Sequence, residues 1–190
     1  IHVDHVMLPK AGELSYVFVL TDSFSGWSEL HPCKNTSAEA AAEAVMDWIY
    51  RFGTFDQLFS DRHSSFVGQL FQHLSSLFQI RTKTASSRNA KSNGHVERCM
   101  KYIGFQLRTM CGNEQGTWPR YIKAIQASIN NMQMSNTACS PFEVLFGRKY
   151  RMAIDAAILT RFEETPSLQD FIRKHKAEIE LMERLAFDNQ

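Results

Sequence analysis

The strongest constraint on the fold is Tyr16–Leu20, a run of five apolar residues with no polar residue among them. A short continuous run that contains β-branched and aromatic residues is typical of a strand buried on both faces. His2–Leu8, which Pro9 ends, and Gly26–Pro32 also have the composition of strands. Lys10–Glu13 contains a glycine and has the composition of a turn. Together these segments predict three strands in an antiparallel meander.

Helices alternate with two further strands in the next part of the chain. Thr36 and Glu39 form the pattern of a capping box before the first helix, and Gly53 follows its end. The apolar face of this helix consists of Ala41, Val45, Trp48, Ile49 and Phe52. A second amphipathic helix is marked by Phe66, Leu70, Phe71, Leu74 and Phe78. Short strands are predicted on either side of it, at Gln57–Ser60 and Ile80–Thr84.

The remainder of the chain is predicted to be mainly helical after a polar loop at Ala85–Lys91. The predicted helices are Ser92–Met110, Trp118–Met132, Ser140–Phe146 (begun by Pro141) and, after Thr165 and Pro166, Leu168–Phe187. This order predicts an α/β fold, with a mixed five-stranded sheet flanked by helices. We expect residues 1–150 to form the core domain, and residues 151–190 to form a linker and a C-terminal helical extension.

Three acidic residues stand in distinctive contexts at separate predicted elements. Asp4 lies on the first strand, Asp61 follows the fourth, and Glu97 lies on the long helix, with thirty-five residues between Asp61 and Glu97. Carboxylates gathered at one edge of a sheet would repel one another unless a cation neutralised them. Hard cations such as Mg²⁺ and Mn²⁺ prefer carboxylate oxygens. Taken singly, each acid also fits a surface position, and Asp61 fits a helix cap.

Positive charge is concentrated around the third acid. The formal net charge of the chain is only +1, but the segment from Arg81 to Arg108 contains seven basic residues and one acid, a net +6. Such a distribution favours contact with nucleic-acid phosphates, and for Lys101 and Arg108 a solvated basic face is an equally weighted alternative. The candidate DNA contacts are Arg88, Lys91, Asn93, Lys101 and Arg108.

Other polar residues are predicted to have structural roles. His5 lies next to Asp4 on a strand and therefore points to the opposite face, and His95 lies two residues from Glu97 on a helix. Asp22 is predicted to hold a turn, and Trp48 and Trp118 to lie in the core. The four cysteines lack the spacing of a zinc site and are expected to be reduced thiols of an intracellular protein. No apolar run reaches the roughly 20 residues that span a bilayer, and the absence of an initial Met suggests a segment of a longer protein.

Several motifs together resemble the catalytic core of retroviral and gypsy-type LTR-retrotransposon integrases, which has a ribonuclease-H-like fold. The matching pieces are Val3–His5, Leu20–Trp27, Ser60–Arg62 with Phe66, Ser92–Arg98 and Ser140–Arg148, in family order and over residues 1 to 150. The resemblance implies that Asp4, Asp61 and Glu97 bind two Mg²⁺ or Mn²⁺ ions, with Asp4 bridging both. It also implies 3′-end processing of element DNA and strand transfer into target DNA, by a homodimer or higher multimer in the nucleus or in an intracellular virus-like particle.

The chain departs from the family pattern beside the expected site. His63 replaces the usual glycine after Asp-Arg, and Ser87–Lys91 replaces the usual Tyr-His-Pro-Gln type of stretch. These changes bear on DNA contacts and loop geometry, whereas the three acids are retained. A domesticated domain that serves protein interaction or dimerisation is therefore an alternative to an active integrase core. A nuclease or transposase of the same superfold is a third hypothesis.

Overall fold

The structure is a computed structural model. It describes residues 1–60, 69–84, 101–107, 109–134 and 138–151, together with individual positions between 167 and 180. Within these ranges, no helix is both long and apolar enough to cross a membrane.

Five strands form one mixed sheet, as the sequence predicts. They are β1 (His2–Ala11), β2 (Leu14–Thr21), β3 (Ser28–Cys33), β4 (Gln57–Ser60) and β5 (Arg81–Thr84). Their spatial order is β3-β2-β1-β4-β5, so β3 and β5 are the two edge strands. The first three strands form an antiparallel meander, while β4 and β5 run parallel to β1.

The described residues also contain five α-helices. They are α1 (Ala38–Phe52), α2 (Gln69–Leu77), α3 (helical at 101–107 and 109–111), α4 (Ile122–Asn131) and α5 (Pro141–Phe146). A 3₁₀ helix, Gln115–Arg120, precedes α4. Further described positions at 169, 170, 172, 173, 176, 177 and 180 are helical, which agrees with the predicted C-terminal helix.

The start of α1 differs by one residue from the prediction. Ser37, not Thr36, is the N-cap, because its side-chain oxygen accepts a hydrogen bond from the backbone N–H of Ala40 at 3.3 Å. The predicted capping box of Thr36 and Glu39 is therefore wrong. Gly53 ends the helix as predicted, and its φ of 85° lies in the left-handed region that favours glycine.

Two predicted segments differ from the structure near a proline. β1 continues past Pro9 to Ala11, and its register with β2 shifts between Met7 and Ala11, where a residue without an N–H is tolerated. The predicted helix at Trp118–Met132 is a 3₁₀ helix containing Pro119, followed by α4. The Trp118 indole donates a hydrogen bond of 2.7 Å to the carbonyl oxygen of Pro9, so these two segments are tied together.

The third strand begins later than predicted because its first residues belong to a turn. The side chain of Asp22 accepts hydrogen bonds from the backbone N–H (2.8 Å) and the hydroxyl (2.6 Å) of Ser25. The backbone N–H of Asp22 donates to Trp27 at 2.9 Å. The predicted turn role of Asp22 is confirmed, and β3 begins at Ser28.

The two faces of the sheet pack against different helices. Phe18 and Leu20 of β2 point toward α1 and share a core with Val45, Trp48 and other residues. Val17 and Val19 alternate with them and point the other way. They share a second core with Ile103 and Leu107 of α3, Trp118 and the apolar residues of α4. The strand Tyr16–Leu20 is thus covered on both faces, as its composition predicts.

The chain divides into two compact units, Ile1–Ile129 and Asn130–Gln190. In the second unit, α5 begins with a complete capping box. The Ser140 hydroxyl accepts from the N–H of Glu143, and the Glu143 carboxylate accepts from the N–H of Ser140. Gly147 ends α5 at a φ of 60°, and the Phe142 ring packs against Phe146 and Tyr150. The short helix predicted at Ser140–Phe146 is confirmed.

Candidate active site

Asp4 lies on the central strand β1, on the face that packs against α3. It pairs across the antiparallel ladder with Val19, whose side chain belongs to the α3 core. Directly paired residues of antiparallel strands point to the same face of a sheet. Asp4 is half-buried, and its Oδ1 accepts a hydrogen bond from the backbone N–H of His5 at 2.7 Å.

His5 points away from Asp4, as the strand period predicts. Its ring packs against the ring of Phe18 with centroids 4.9 Å apart, and Phe18 lies in the α1 core. Neighbouring residues in a strand alternate between faces, so the imidazole is placed on the side of the sheet opposite the Asp4 carboxylate. His5 is therefore not a ligand partner of Asp4.

The parallel strand β4 ends beside Asp4. His2 of β1 is in register with Phe59 of β4, and the two rings stack with centroids 4.7 Å apart. In a parallel pair both strands advance in the same direction, so Ser60 is level with Val3. The last described residue of β4 is thus one position short of the level of Asp4, and the next residue in the sequence is Asp61.

The helix that follows Glu97 in the sequence covers the same face of the sheet as Asp4. Ile103 and Leu107 of α3 are buried in the core that contains Val19, as predicted, and Val6 of β1 packs against this core. Lys101 is exposed, four residues after Glu97 in the sequence. The remaining predicted site residues, Asp61, Arg88, Lys91, Asn93, Glu97 and Arg108, lie outside the described residues, as do His63 and His95.

Two viral and transposon polyproteins are related to the chain. It is 30% identical over 163 residues to the Gag-Pol polyprotein of feline leukemia virus, which covers 83% of this chain and 9% of the polyprotein. It is 26% identical over 159 residues to the transposon Tf2-3 polyprotein of Schizosaccharomyces pombe, with 83% and 12% covered. The chain thus spans only 9% and 12% of the lengths of these curated relatives. No protein-family model matches it.

A solved structure has the same fold. The HTLV-2 integrase catalytic core domain in complex with magnesium, in its trimeric form, matches with a TM-score of 0.60 and 20% sequence identity. The match covers 75% of this chain and 92% of that core. The chain is therefore related in sequence to retroviral and transposon polyproteins and has the fold of an integrase catalytic core, and we call it integrase-like in this sense. The family resemblance carried by the sequence motifs and the predicted mixed sheet with flanking helices are both confirmed.

The integrase-like domain contains a second polar cluster that sequence reasoning missed. Among the described residues, Glu29, His31 and Asp47 form a group whose ligand-type atoms lie within 4.8 Å of one another. Glu29 and His31 of β3 alternate with Leu30, which points into the α3 core, and Asp47 lies on α1. This cluster therefore lies on the α1 face of the sheet, opposite the face of Asp4.

Arg51 of α1 provides the positive charge of this cluster. Its guanidinium donates two hydrogen bonds of 2.5 Å to the carboxylate of Glu29 and one of 2.6 Å to Asp47. His31 lies 3.3 Å from the same Glu29 carboxylate. The Glu29 side chain is only 1% exposed, so the pair joins β3 to α1 in a largely buried setting. Arg51 already pairs with both carboxylates, and we interpret the cluster as a structural ion-pair network rather than a metal site.

The pKa of Glu29 reflects the same balance. Burial acts to raise the pKa of this carboxyl, but the hydrogen bonds with His31 and Arg51 and the charge of Arg51 outweigh it, so the pKa is lowered. Two features of the sequence could have indicated the cluster. Glu29 is a charged residue within a predicted strand, and Asp47 and Arg51 have the i, i+4 spacing of a helical ion pair.

Proposed function

We propose that this integrase-like domain catalyses the metal-dependent cutting and joining of DNA, by 3′-end processing of element DNA and strand transfer into target DNA. The supporting observation is the position of Asp4. It lies on the central strand, beside the end of β4 and on the face covered by α3. These are the elements that adjoin Asp61 and Glu97 in the sequence. We assign Asp4, Asp61 and Glu97 as the catalytic and metal-binding residues.

The chemistry of DNA strand transfer agrees with this set of residues. Phosphoryl transfer needs little covalent help from the protein and depends on positioning and electrostatic stabilisation. When bound, two divalent ions would activate the attacking oxygen and stabilise the leaving oxygen. The carboxylate of Asp4 is the hard oxygen donor that Mg²⁺ and Mn²⁺ prefer, and its hydrogen bond to the N–H of His5 fixes the orientation of the group. The related HTLV-2 core was solved in complex with magnesium.

The proposed partners are DNA and further copies of the chain. We assign Arg88, Lys91, Asn93, Lys101 and Arg108 to contacts with DNA, because phosphate contacts position the substrate without reading its sequence. The HTLV-2 core was solved in trimeric and dimeric forms, which supports a multimer here. Reaction with chromosomal DNA would place the protein in the nucleus, or in an intracellular virus-like particle before entry.

The experiment that tests the proposal compares the full-length wild-type protein with the Glu97→Gln variant on DNA that carries the ends of its own element. We expect Mg²⁺- or Mn²⁺-dependent nicking and strand transfer by the wild type, and neither by Glu97→Gln. Equal activity of the two proteins would overturn the assignment of Glu97. An inactive wild type would instead favour the alternative, a domesticated domain that mediates protein interaction or dimerisation.

A further inference from the structure

Three side chains form a row across strands β1, β4 and β5. His2 is in register with Phe59, and Phe59 is in register with Lys83. The His2 and Phe59 rings stack at 4.7 Å with only 12° between their planes, and the Lys83 ammonium lies 5.6 Å from the centroid of the Phe59 ring. These contacts place the three side chains on one face of the sheet, in the order His2, Phe59, Lys83.

The row lies on the face that carries Asp4. His2 and Asp4 are two residues apart on β1, so their side chains point the same way. Arg81 is two residues from Lys83 on β5 and points to this face as well. Arg81 and Lys83 are both exposed, and β5 is an edge strand of the sheet. A pair of cationic side chains thus borders the candidate active site at the open edge of the sheet.

We propose that Lys83 and Arg81 bind phosphates of the DNA strand that is held at Asp4. Strands lie about 4.8 Å apart and rise about 3.3 Å per residue, which puts the backbone of Lys83 about 12 Å from that of Asp4. This separation matches a few nucleotides of DNA, at about 3.4 Å of helix axis per nucleotide of one strand. The inference rests on the proposed function and adds two positioning residues to it.

The aromatic row explains why Lys83 suits this role. A lysine on an exposed strand loses side-chain freedom when it binds a phosphate. The attraction between the ammonium and the face of the Phe59 ring limits that freedom beforehand, and His2, which is itself buried, supports the ring from the far side. The Lys83 ammonium is therefore already held on the face of Asp4 before it contacts a phosphate.

The test measures binding of a labelled DNA duplex by fluorescence anisotropy at several salt concentrations. It uses the full-length protein with the Glu97→Gln substitution in Mg²⁺ buffer, to prevent cutting. Each lost phosphate contact lowers the magnitude of the slope of log affinity against log salt by about 0.9. We expect this decrease for Lys83→Gln and about twice the decrease for the double variant with Arg81→Gln. For the single variant, the loss of affinity should be about threefold larger at 50 mM than at 200 mM salt.

Lys34→Gln is the matched control, because Lys34 adjoins β3 at the opposite edge of the sheet and is also exposed. It removes the same charge, and the slope should stay at the parent value. Lys83→Arg should also retain the slope. Equal slopes for Lys83→Gln and Lys34→Gln would overturn the inference. So would a double variant, Arg81→Gln with Lys83→Gln, whose slope equals that of the parent protein. The outcome is separate from the proposed function, because binding is measured whether or not Glu97→Gln reduces strand transfer.

Discussion

Acidic side chains lie on both faces of the sheet, and their surroundings differ. On the α1 face, Glu29 is buried and accepts two hydrogen bonds from Arg51, so the chain itself supplies the neutralising cation. On the α3 face, Asp4 is half-buried and accepts a hydrogen bond from the backbone N–H of His5. A backbone amide orients a carboxylate, whereas a guanidinium also brings a positive charge to it. The two faces thus use the same chemical group in different electrostatic settings.

The difference separates a structural acid from a proposed catalytic one. A carboxylate neutralised by a neighbouring guanidinium has its partner in place once the fold is complete. Carboxylates brought together near Asp4 would repel one another until they take up a cation from solution. Under the proposed function, the source of the positive charge, rather than the presence of several acids, would therefore distinguish the two faces. Each of the following experiments changes one face and uses the other as its reference.

The largest expected effect is the loss of activity in Asp4→Asn. Loss of metal-assisted charge stabilisation worth several kcal/mol corresponds to a decrease of about 10³-fold in the rate of strand transfer. Glu29→Gln removes the same kind of charge from the opposite face and should leave the rate per folded molecule within about threefold, since a rate change of that size corresponds to less than 1 kcal/mol. The measurement is single-turnover strand transfer, normalised to the folded fraction from circular dichroism.

A large decrease in both variants would mean that the two faces are not independent. If the rate of strand transfer decreased only slightly in Asp4→Asn, the assignment of Asp4 to the active site would be contradicted. Asp4→Asn keeps the size of the side chain, so the comparison depends on charge rather than on packing.

The second effect concerns the ion pair on the α1 face. Arg51→Met should lower the free energy of unfolding by about 2 kcal/mol, because it leaves the Glu29 carboxylate buried without its guanidinium. The value is set below the roughly 3–5 kcal/mol of a fully buried pair, since the Arg51 side chain is 41% exposed. Urea denaturation of the two proteins provides the measurement.

Asp47→Ala is the control for this effect. It removes the other carboxylate that accepts a hydrogen bond from Arg51, but Asp47 is 56% exposed, so the loss should be below about 0.5 kcal/mol. The double variant Glu29→Met with Arg51→Met should recover much of the stability lost in Arg51→Met. Equal losses in Arg51→Met and Asp47→Ala would show that burial of Glu29 does not govern the pair.

The extent to which the sequence predicted the fold depended on how local each signal is. The strand at Tyr16–Leu20 and the buried face of α1 follow from patterns within a few residues, and both are confirmed. The cap of α1 is predicted one residue too early, at Thr36, whereas the structure has the neighbouring hydroxyl residue Ser37 in this role. The apolar pattern predicts one continuous helix over Trp118–Met132, but Pro119 lies near its start, and that part of the segment is a 3₁₀ helix.

The long-range contacts were beyond what sequence patterns provide. The pair of Glu29 and Arg51 joins residues 22 positions apart, and it depends on the placement of α1 over β3. The row of His2, Phe59 and Lys83 depends on the register of three strands that are not consecutive in the chain. Asp4 could be singled out because its motif is local. Its position beside the end of β4 required the sheet topology.

A third effect is stabilisation by metal. At a Mn²⁺ concentration ten times Kd, binding to the native state should add about 1.4 kcal/mol to the stability. That corresponds to a rise of roughly 3–6 °C in Tm for a chain of this size. Asp4→Asn should remove most of the rise, whereas Glu29→Gln should retain it. The measurement is differential scanning calorimetry with and without Mn²⁺, and a rise that disappears only in Glu29→Gln would assign the metal to the α1 face instead.

The smallest effect is a dependence of stability on pH that arises from Glu29. Because the pKa of this carboxyl is lowered in the folded state, its ionisation stabilises the native protein above the ordinary value of 4.5, and this contribution is lost as the pH falls through the folded pKa. The free energy of unfolding should therefore rise with pH more steeply below pH 4.5 in the wild type than in Glu29→Gln. Urea titrations between about pH 3 and 6 measure the two slopes. In the Arg51→Met background the difference between the slopes should shrink, because Arg51 contributes to the lowering of the pKa. An unchanged difference in that background would attribute the lowering to the other hydrogen-bonding partners of Glu29, which are His31 and Trp27.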